Sequence, residues 1–184
     1  MTDLPELPPR PFCLIRHGET TANRDGLIAG RLDVALSDLG QAQARALADL
    51  SWPRPLALFC SPMTRARDTA TLAFPTLVAS PIADLRERDW GRFEGRPLAE
   101  LPPRETTPDG GEDWAAMIRR VHGAISACIA AAGPALPVLV CHSGVIRATR
   151  LLVGQQTVGS RAPNATPIHY RPKAGHHEEH LHEL

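Results

Sequence analysis

Two histidines stand where a fold would concentrate chemistry. His17 follows the apolar run Phe12–Ile15 within Ile15-Arg16-His17-Gly18-Glu19-Thr20, and His142 follows Val138–Cys141 within Cys141-His142-Ser143-Gly144. Each marks the point where an apolar segment stops and a glycine-containing turn opens a helical pattern. In an open parallel sheet that carboxyl edge is the ligand crevice. A third apolar run, Leu56–Cys60, leads into Ser61-Pro62, with Arg65 shortly after. His17, His142, Arg16 and Arg65 are therefore expected to converge beside at least one helix N-terminus. Guanidinium forks and unpaired N–H groups both favour a dianion with several oxygens, which makes phosphate the natural occupant. An Arg-His-Gly tripeptide is weak by itself; its position at a strand end, matched by a second such histidine, carries the inference. His122, inside a helical pattern, reads as structural.

The elements that must hold these residues alternate between short apolar runs and helical periodicity, the signature of a parallel α/β sheet. Strands are expected at Phe12–Ile15, Leu56–Cys60 and Val138–Cys141, with a weaker one near Leu77–Ala79. Their unbroken apolar character fits strands covered on both faces. Ser37 reads as the N-cap of a helix burying Leu39, Ala42, Ala46 and Leu50. Ser61 reads as a second N-cap, with Pro62 at the first helical position and Met63, Ala66, Ala70 and Phe74 inward. A third helix spans about Glu112 to Ala132, with Trp114, Ile118, Val121, Ile125 and Cys128 on one face and Gly133-Pro134 as its stop. A fourth follows Gly144, with Val145, Ala148 and Leu152 inward. The expected architecture is a three-layer α/β sandwich with a mostly parallel central sheet and helices on both faces. One domain over residues 11–171 is expected, preceded by a Pro-rich arm (1–10) and followed by a His-rich, disordered tail (172–184).

Composition narrows the function classes. The 184 residues carry 20 basic and 20 acidic side chains, so no global field points to nucleic acid or an anionic membrane. Lys173 is the single lysine, which argues against Schiff-base chemistry and against a lysine-bearing phosphate loop. Cys13, Cys60, Cys128 and Cys141 show neither a CxxC pair nor metal-ligand spacing and read as buried thiols. Residues 123–141 hold no charged side chain, but Gly133, Pro134 and Pro137 break the stretch. With an acidic, Pro-rich start and no leader pattern, the expectation is a cytoplasmic protein. The segment Gly175 to His182 packs four of the eight histidines into seven residues, read as incidental metal affinity in a loose tail.

Several motifs are recognisable together and in order. RHGET is followed by Asn23, then Gly30-Arg31-Leu32-Asp33 and Leu39-Gly40-Gln41-Ala42. Ser61-Pro62-x-x-Arg65-Ala66-x-x-Thr69-Ala70 comes next, then Leu85-x-Glu87-x-x-x-Gly91-x-x-Glu94-Gly95, Gly110-Gly111-Glu112 and Val140-x-His142-x-Gly144-Val145-Ile146-Arg147. Over about residues 12–154 the chain resembles the histidine phosphatase superfamily, the phosphoglycerate-mutase-like proteins. The resemblance implies His17 as a nucleophile that accepts the phosphoryl group, with Arg16, Arg65 and His142 on its equatorial oxygens. It implies a further hydrogen bond from Asn23, with Arg31 and Ser143 completing the substrate set, and Glu87 as the proton donor to the leaving oxygen. The implied reaction needs neither a metal nor a cofactor; its partners are a small phosphorylated substrate and product phosphate, and the chain acts as a monomer or homodimer.

The chemistry agrees with that assignment. Phosphoryl transfer asks mainly for positioning and charge stabilisation, and a neutral imidazole attacks without a strong base. Composition does not choose among Asp84, Glu87 and Asp89, each near arginines; only the Leu-x-Glu-x-x-x-Gly pattern selects Glu87. Glu19 reads as a positioning residue. Arg86, Arg88, Arg92, Arg96 and Arg104 form a basic tract that reads as a solvated face, with one or two able to meet a second anionic group. Pro97–Pro108 is expected to form a lid. Ala22 stands where glycolytic mutases usually carry Trp, a form more like α-ribazole phosphatases and small broad-specificity phosphatases. Ala29 replaces a common hydroxyl residue, and the mutases' extra insertion is missing. The reading is thus a phosphatase, with a phosphoglycerate mutase or a non-catalytic phospho-ligand module as alternatives.

Overall fold

The computed structural model describes residues 6–181. Six strands form one sheet: β1 (Phe12–Arg16), β2 (Leu56–Cys60), β3 (Ser80–Pro81), β4 (Leu136–Cys141), β5 (Pro167–Lys173) and β6 (His176–Leu181). Their order is β3-β2-β4-β1-β5-β6, parallel from β3 to β1, with β5 and β6 antiparallel. Five α-helices accompany them among the described residues: α1 (Thr21–Arg24), α2 (Asp38–Ala46), α3 (Thr64–Ala73), α4 (Trp114–Ala131) and α5 (Ser143–Leu152). Strand side chains alternate between the two faces. Phe12, Leu14, Leu139 and Cys141 pack with Met117, Val121, Ile125 and Val145 of α4 and α5. Cys13, Ile15, Val138 and Val140 pack with Ala66, Ala70 and Phe74 of the α3 region. This is the mostly parallel three-layer α/β sandwich. The four cysteines are buried free thiols. Among the described residues no helix is long and apolar enough to cross a membrane.

Four local expectations are corrected. The outer strand falls at Ser80–Pro81 rather than Leu77–Ala79. Ser37 does cap α2, accepting from the Gly40 N–H at 3.0 Å, but the buried face is Gly40, Ala44 and Leu47, while Leu39 is 55% exposed. The helix is rotated because Gly40 lies against the backbone of Glu19, where a Cβ would collide. The N-cap of α3 is Met63, not Ser61, whose hydroxyl serves the site instead. The expected stripe of Met63, Ala66, Ala70 and Phe74 is buried all the same.

The fourth correction concerns the termini. The chain turns through Ala174 and Gly175, both at positive φ, and the His-rich segment becomes edge strand β6 rather than a loose tail. Its composition hid this because its inward residues are polar and individually satisfied. Arg150 of α5 clasps the Glu179 carboxylate at 2.8 Å, with Tyr170 and Gln155 donating to the same group. His177 packs edge-on to Phe12 and meets the carbonyl of Arg10 at 3.1 Å. Arg10 in turn donates to the carbonyls of Ile129 and Ala135, and Leu7 is buried, so the second half of the Pro-rich arm is fastened to the core. Its first half, residues 1–5, and His182 lie outside the described residues.

Arg150 and Glu179 are 7% and 10% exposed in their side chains. Removing one partner of a buried pair strands the other charge, which costs about 3–5 kcal/mol. Arg150→Ala is expected to lose about that much in urea denaturation. The double change Arg150→Met with Glu179→Leu, which buries no charge, is expected to lose much less.

Candidate active site

The site grows from one strand pairing. β1 and β4 run parallel with Arg16 opposite Cys141, so the next residue on each strand is a histidine. The His17 N–H donates to the Cys141 carbonyl at 3.0 Å, and the two buried imidazoles sit 5.2 Å apart between ring centroids. Their hydrogen bonds fix opposite tautomers. His17 Nδ1 lies 2.7 Å from the Gly18 carbonyl, so Nδ1 carries the proton and Nε2 keeps its lone pair. For His142, Arg65 Nε donates to Nδ1 at 3.3 Å, so the proton sits on Nε2, 2.8 Å from Ser61 Oγ. Burial first, and the Arg65 guanidinium second, push both rings well below the usual histidine pKa, so both are neutral at pH 7.

The backbone around His17 is packed tightly enough to fix its ring. A Cβ on Gly18 would collide with the Gly40 carbonyl oxygen, and the Gly18 N–H donates to Thr69 Oγ1 at 3.0 Å. Asn164, just ahead of β5, donates to the His17 carbonyl at 2.8 Å. Arg16 donates to the Ala162 carbonyl and to Asn23 Oδ1, which keeps its fork at the mouth of the same crevice. Arg65 spends its remaining donors on the carbonyls of Leu32, Gly30 and Ala29. Glu94 holds the same loop from outside by accepting the N–H groups of Gly30, Arg31, Leu32 and Trp90.

Glu87 is half-buried, and its two oxygens accept the N–H groups of Arg88 at 2.8 Å and Gly144 at 2.9 Å. The second of these is in the first turn of α5, whose N-terminal N–H groups favour a carboxylate. A Cβ on Gly144 would strike Glu87 Oε1, which is why that position is glycine. The cavity is lined by Arg16, His17, Asn23, Glu87 and Ser143, together with Trp90, Leu98, Leu101, Arg104, Arg147 and Arg161. Burial and the neighbouring Arg161 bring Arg16 down to about 10.

Most of the anticipated residues meet here, with three differences. Arg31 points away, 80% exposed and 3.3 Å from Asp89, because the loop that bears it turns its carbonyls inward to Arg65. Arg65 and His142 stand directly behind His17 and are not among the residues lining the cavity. Of the basic tract, Arg104 alone lines the cavity; Arg88 is fully buried, clamping the carbonyls of Arg104, Thr106 and Glu112. Among Asp84, Glu87 and Asp89, the cavity takes Glu87. Glu19 accepts from Ser37 Oγ at 2.7 Å and holds the start of α2. The segment 97–108 crosses the cavity through Leu98, Leu101 and Arg104. Ser61 reads from sequence only as a helix cap, and Thr69, Asn164 and Arg161 have no site role there. Arg147 could have been found, since it lies four residues after Ser143 on the same helix face. Among the described residues no group of three or more His, Cys, Asp or Glu side chains could hold a metal ion.

The sequence model of the histidine phosphatase superfamily (branch 1) matches residues 12–159. The chain belongs to that superfamily. It is 30% identical over 172 residues to a metal-independent phosphoserine phosphatase of Arabidopsis thaliana, covering 83% of this chain and 72% of that protein. Among solved structures, the mycobacterial glucosyl-3-phosphoglycerate phosphatase in complex with VO3 superimposes with a TM-score of 0.81 at 28% identity, over 94% of this chain and 98% of the other. An Escherichia coli K-12 protein provisionally named an alpha-ribazole-5'-P phosphatase gives 0.82 at 25% identity, over 95% and 96%. As a histidine phosphatase with phosphatases for relatives, the chain is classed as a phosphoric monoester hydrolase.

The lowered pKa values of His17 and His142 have a consequence for stability. Unfolded histidine titrates near about 6.5, so below that pH the unfolded chain binds protons that the folded chain refuses. The stability these rings contribute is complete above that pH and is lost as pH falls beneath it. Lowering pH from 7.5 to 5.5 should remove about 2–3 kcal/mol in urea titrations, and His17→Gln should remove about half of that dependence.

Proposed function

We propose that the protein hydrolyses phosphomonoesters of small metabolites, without metal, through a phosphohistidine formed on His17. The observation that carries this is the Nδ1–H bond from His17 to the Gly18 carbonyl, which leaves Nε2 unprotonated in a ring that lines the cavity. The Nε2 lone pair forms a bond to phosphorus as the ester P–O bond breaks in line. The leaving oxygen takes a proton from Glu87. Water then attacks the phosphoryl group, gives a proton back to Glu87, and the P–N electrons return to Nε2 as phosphate departs. Arg16, Asn23 and Ser143 hold the phosphoryl oxygens at the cavity side. Arg65 and His142 complete the set from behind, exchanging their bonds to loop carbonyls and Ser61 for phosphate oxygens when the dianion enters.

α-Ribazole 5′-phosphate is the substrate suggested by the residues around Asn23 and by the Escherichia coli neighbour, and it belongs in any turnover panel. His17→Ala is expected to abolish turnover of p-nitrophenyl phosphate, by at least about 10³-fold, while circular dichroism stays native. Rapid quenching of the wild type during turnover of a ³²P-labelled ester should trap an acid-labile, base-stable adduct on His17. Retained hydrolysis by the alanine variant would exclude the nucleophile. Glu87→Gln should slow alkyl phosphates more than p-nitrophenyl phosphate, whose leaving group needs no proton; equal losses would exclude the proton-donor role. Vanadate should inhibit, and EDTA should leave activity in place.

A further inference from the structure

The cavity holds more positive charge than a single phosphate uses. Arg104, Arg147 and Arg161 line it in addition to Arg16, and Glu87 is the only acidic side chain among the described lining residues. The three come from separate parts of the chain: the segment 97–108, the second turn of α5 and the loop ahead of β5. None of them makes an ion pair with a carboxylate among the described residues. Arg104 Nη1 and Arg147 Nε are buried without any acceptor, as are Arg16 Nε and Ser143 Oγ on the phosphoryl side.

These donors are prepared rather than incidental. Arg104 lies 5.2 Å from the centroid of the Trp114 ring and 5.9 Å from that of Trp90, and its own carbonyl is clamped by Arg88. Burial, then Arg104, then Arg161 bring Arg147 down to about 10, so it remains charged at neutral pH while its neighbours repel it. Ala162, next to Arg161, is fixed through its carbonyl by Arg16, and Ser160 through its carbonyl by Arg150. Three guanidinium groups lining one cavity, two of them with a buried donor that has no acceptor and none in an ion pair among the described residues, form an anion site.

We propose that Arg104, Arg147 and Arg161 form a second oxyanion subsite, so that the preferred substrates carry a further acidic group, carboxylate or phosphate, beyond the ester being cleaved. This inference rests on the hydrolase reading above and narrows its substrate class. It ranks α-ribazole 5′-phosphate, whose riboside bears no acidic group, below phosphorylated acids and bisphosphates.

The test compares kcat/KM on matched esters. 3-Phosphoglycerate and glycerol 3-phosphate differ by a carboxylate in place of a hydroxymethyl group; fructose 1,6-bisphosphate and fructose 6-phosphate differ by a second phosphate. At least one acidic member should exceed its partner tenfold or more, and the pair that does so assigns carboxylate or phosphate. Arg147→Gln and the exposed Arg161→Gln should each reduce that ratio at least threefold, losing more on the acidic substrate than on p-nitrophenyl phosphate. Raised salt should erode the ratio in the wild type. Ratios within twofold for both pairs, with p-nitrophenyl phosphate still hydrolysed, would overturn the subsite and leave the hydrolase reading intact. No turnover of any ester by the wild type would overturn the hydrolase reading, and the subsite with it.

Discussion

Everything at the site depends on the register between β1 and β4. Because Arg16 pairs with Cys141, the following residue on each strand is delivered to the same rim, and two imidazoles meet with no long side chain needed to bridge them. A slip of one residue would send His17 or His142 to the opposite face of the sheet. The register is secured from both sides, since Leu14 and Leu139 are buried in one layer and Ile15 and Val140 in the other. Core packing and site geometry are therefore the same constraint seen at two distances.

Around that pair, the chain places cations without neutralising them. Water cannot reach much of this charge, and protein acceptors take up only part of it. Arg16 and Arg65 are anchored by carbonyls and neutral partners rather than by carboxylates. Such anchoring orients a guanidinium while leaving its charge available to an incoming ligand. Burial first, and this positive field second, keep both histidines neutral, which suits a ring that has to offer a lone pair. Glu87 is the exception, set beside a helix N-terminus where a carboxylate is tolerated amid arginines.

Legibility from sequence followed the kind of force involved. Apolar runs gave the central strands and the two faces of the sheet, because burial on both sides leaves a strong periodic trace; α4 and its stripe were readable for the same reason. Strand ends followed by glycine turns were enough to bring His17 and His142 together. The rest was hidden where polar atoms do the work. The inward residues of β6 are His and Glu, stabilised by particular partners far away in the chain, so alternation was invisible in composition. The exposed flank of α2 is set by a glycine-to-backbone approach, not by hydrophobic spacing. Glu87 could be chosen over Asp84 and Asp89 only by resemblance, and Arg161 reaches the cavity through a tertiary loop without any local signature.

Glu94 has a mechanical effect that reaches past its own hydrogen bonds. Its single carboxylate gathers the amides of Gly30, Arg31, Leu32 and Trp90, while Arg65 grips the carbonyls on the inner side of the same turn. Two loops distant in sequence thus behave as one stiff wall, riveted from both sides. The same turn seats Arg65, so room for a bulkier ester cannot be made in this wall without loosening the guanidinium that holds His142. Loop exchange in this wall would therefore disturb the catalytic geometry together with the specificity.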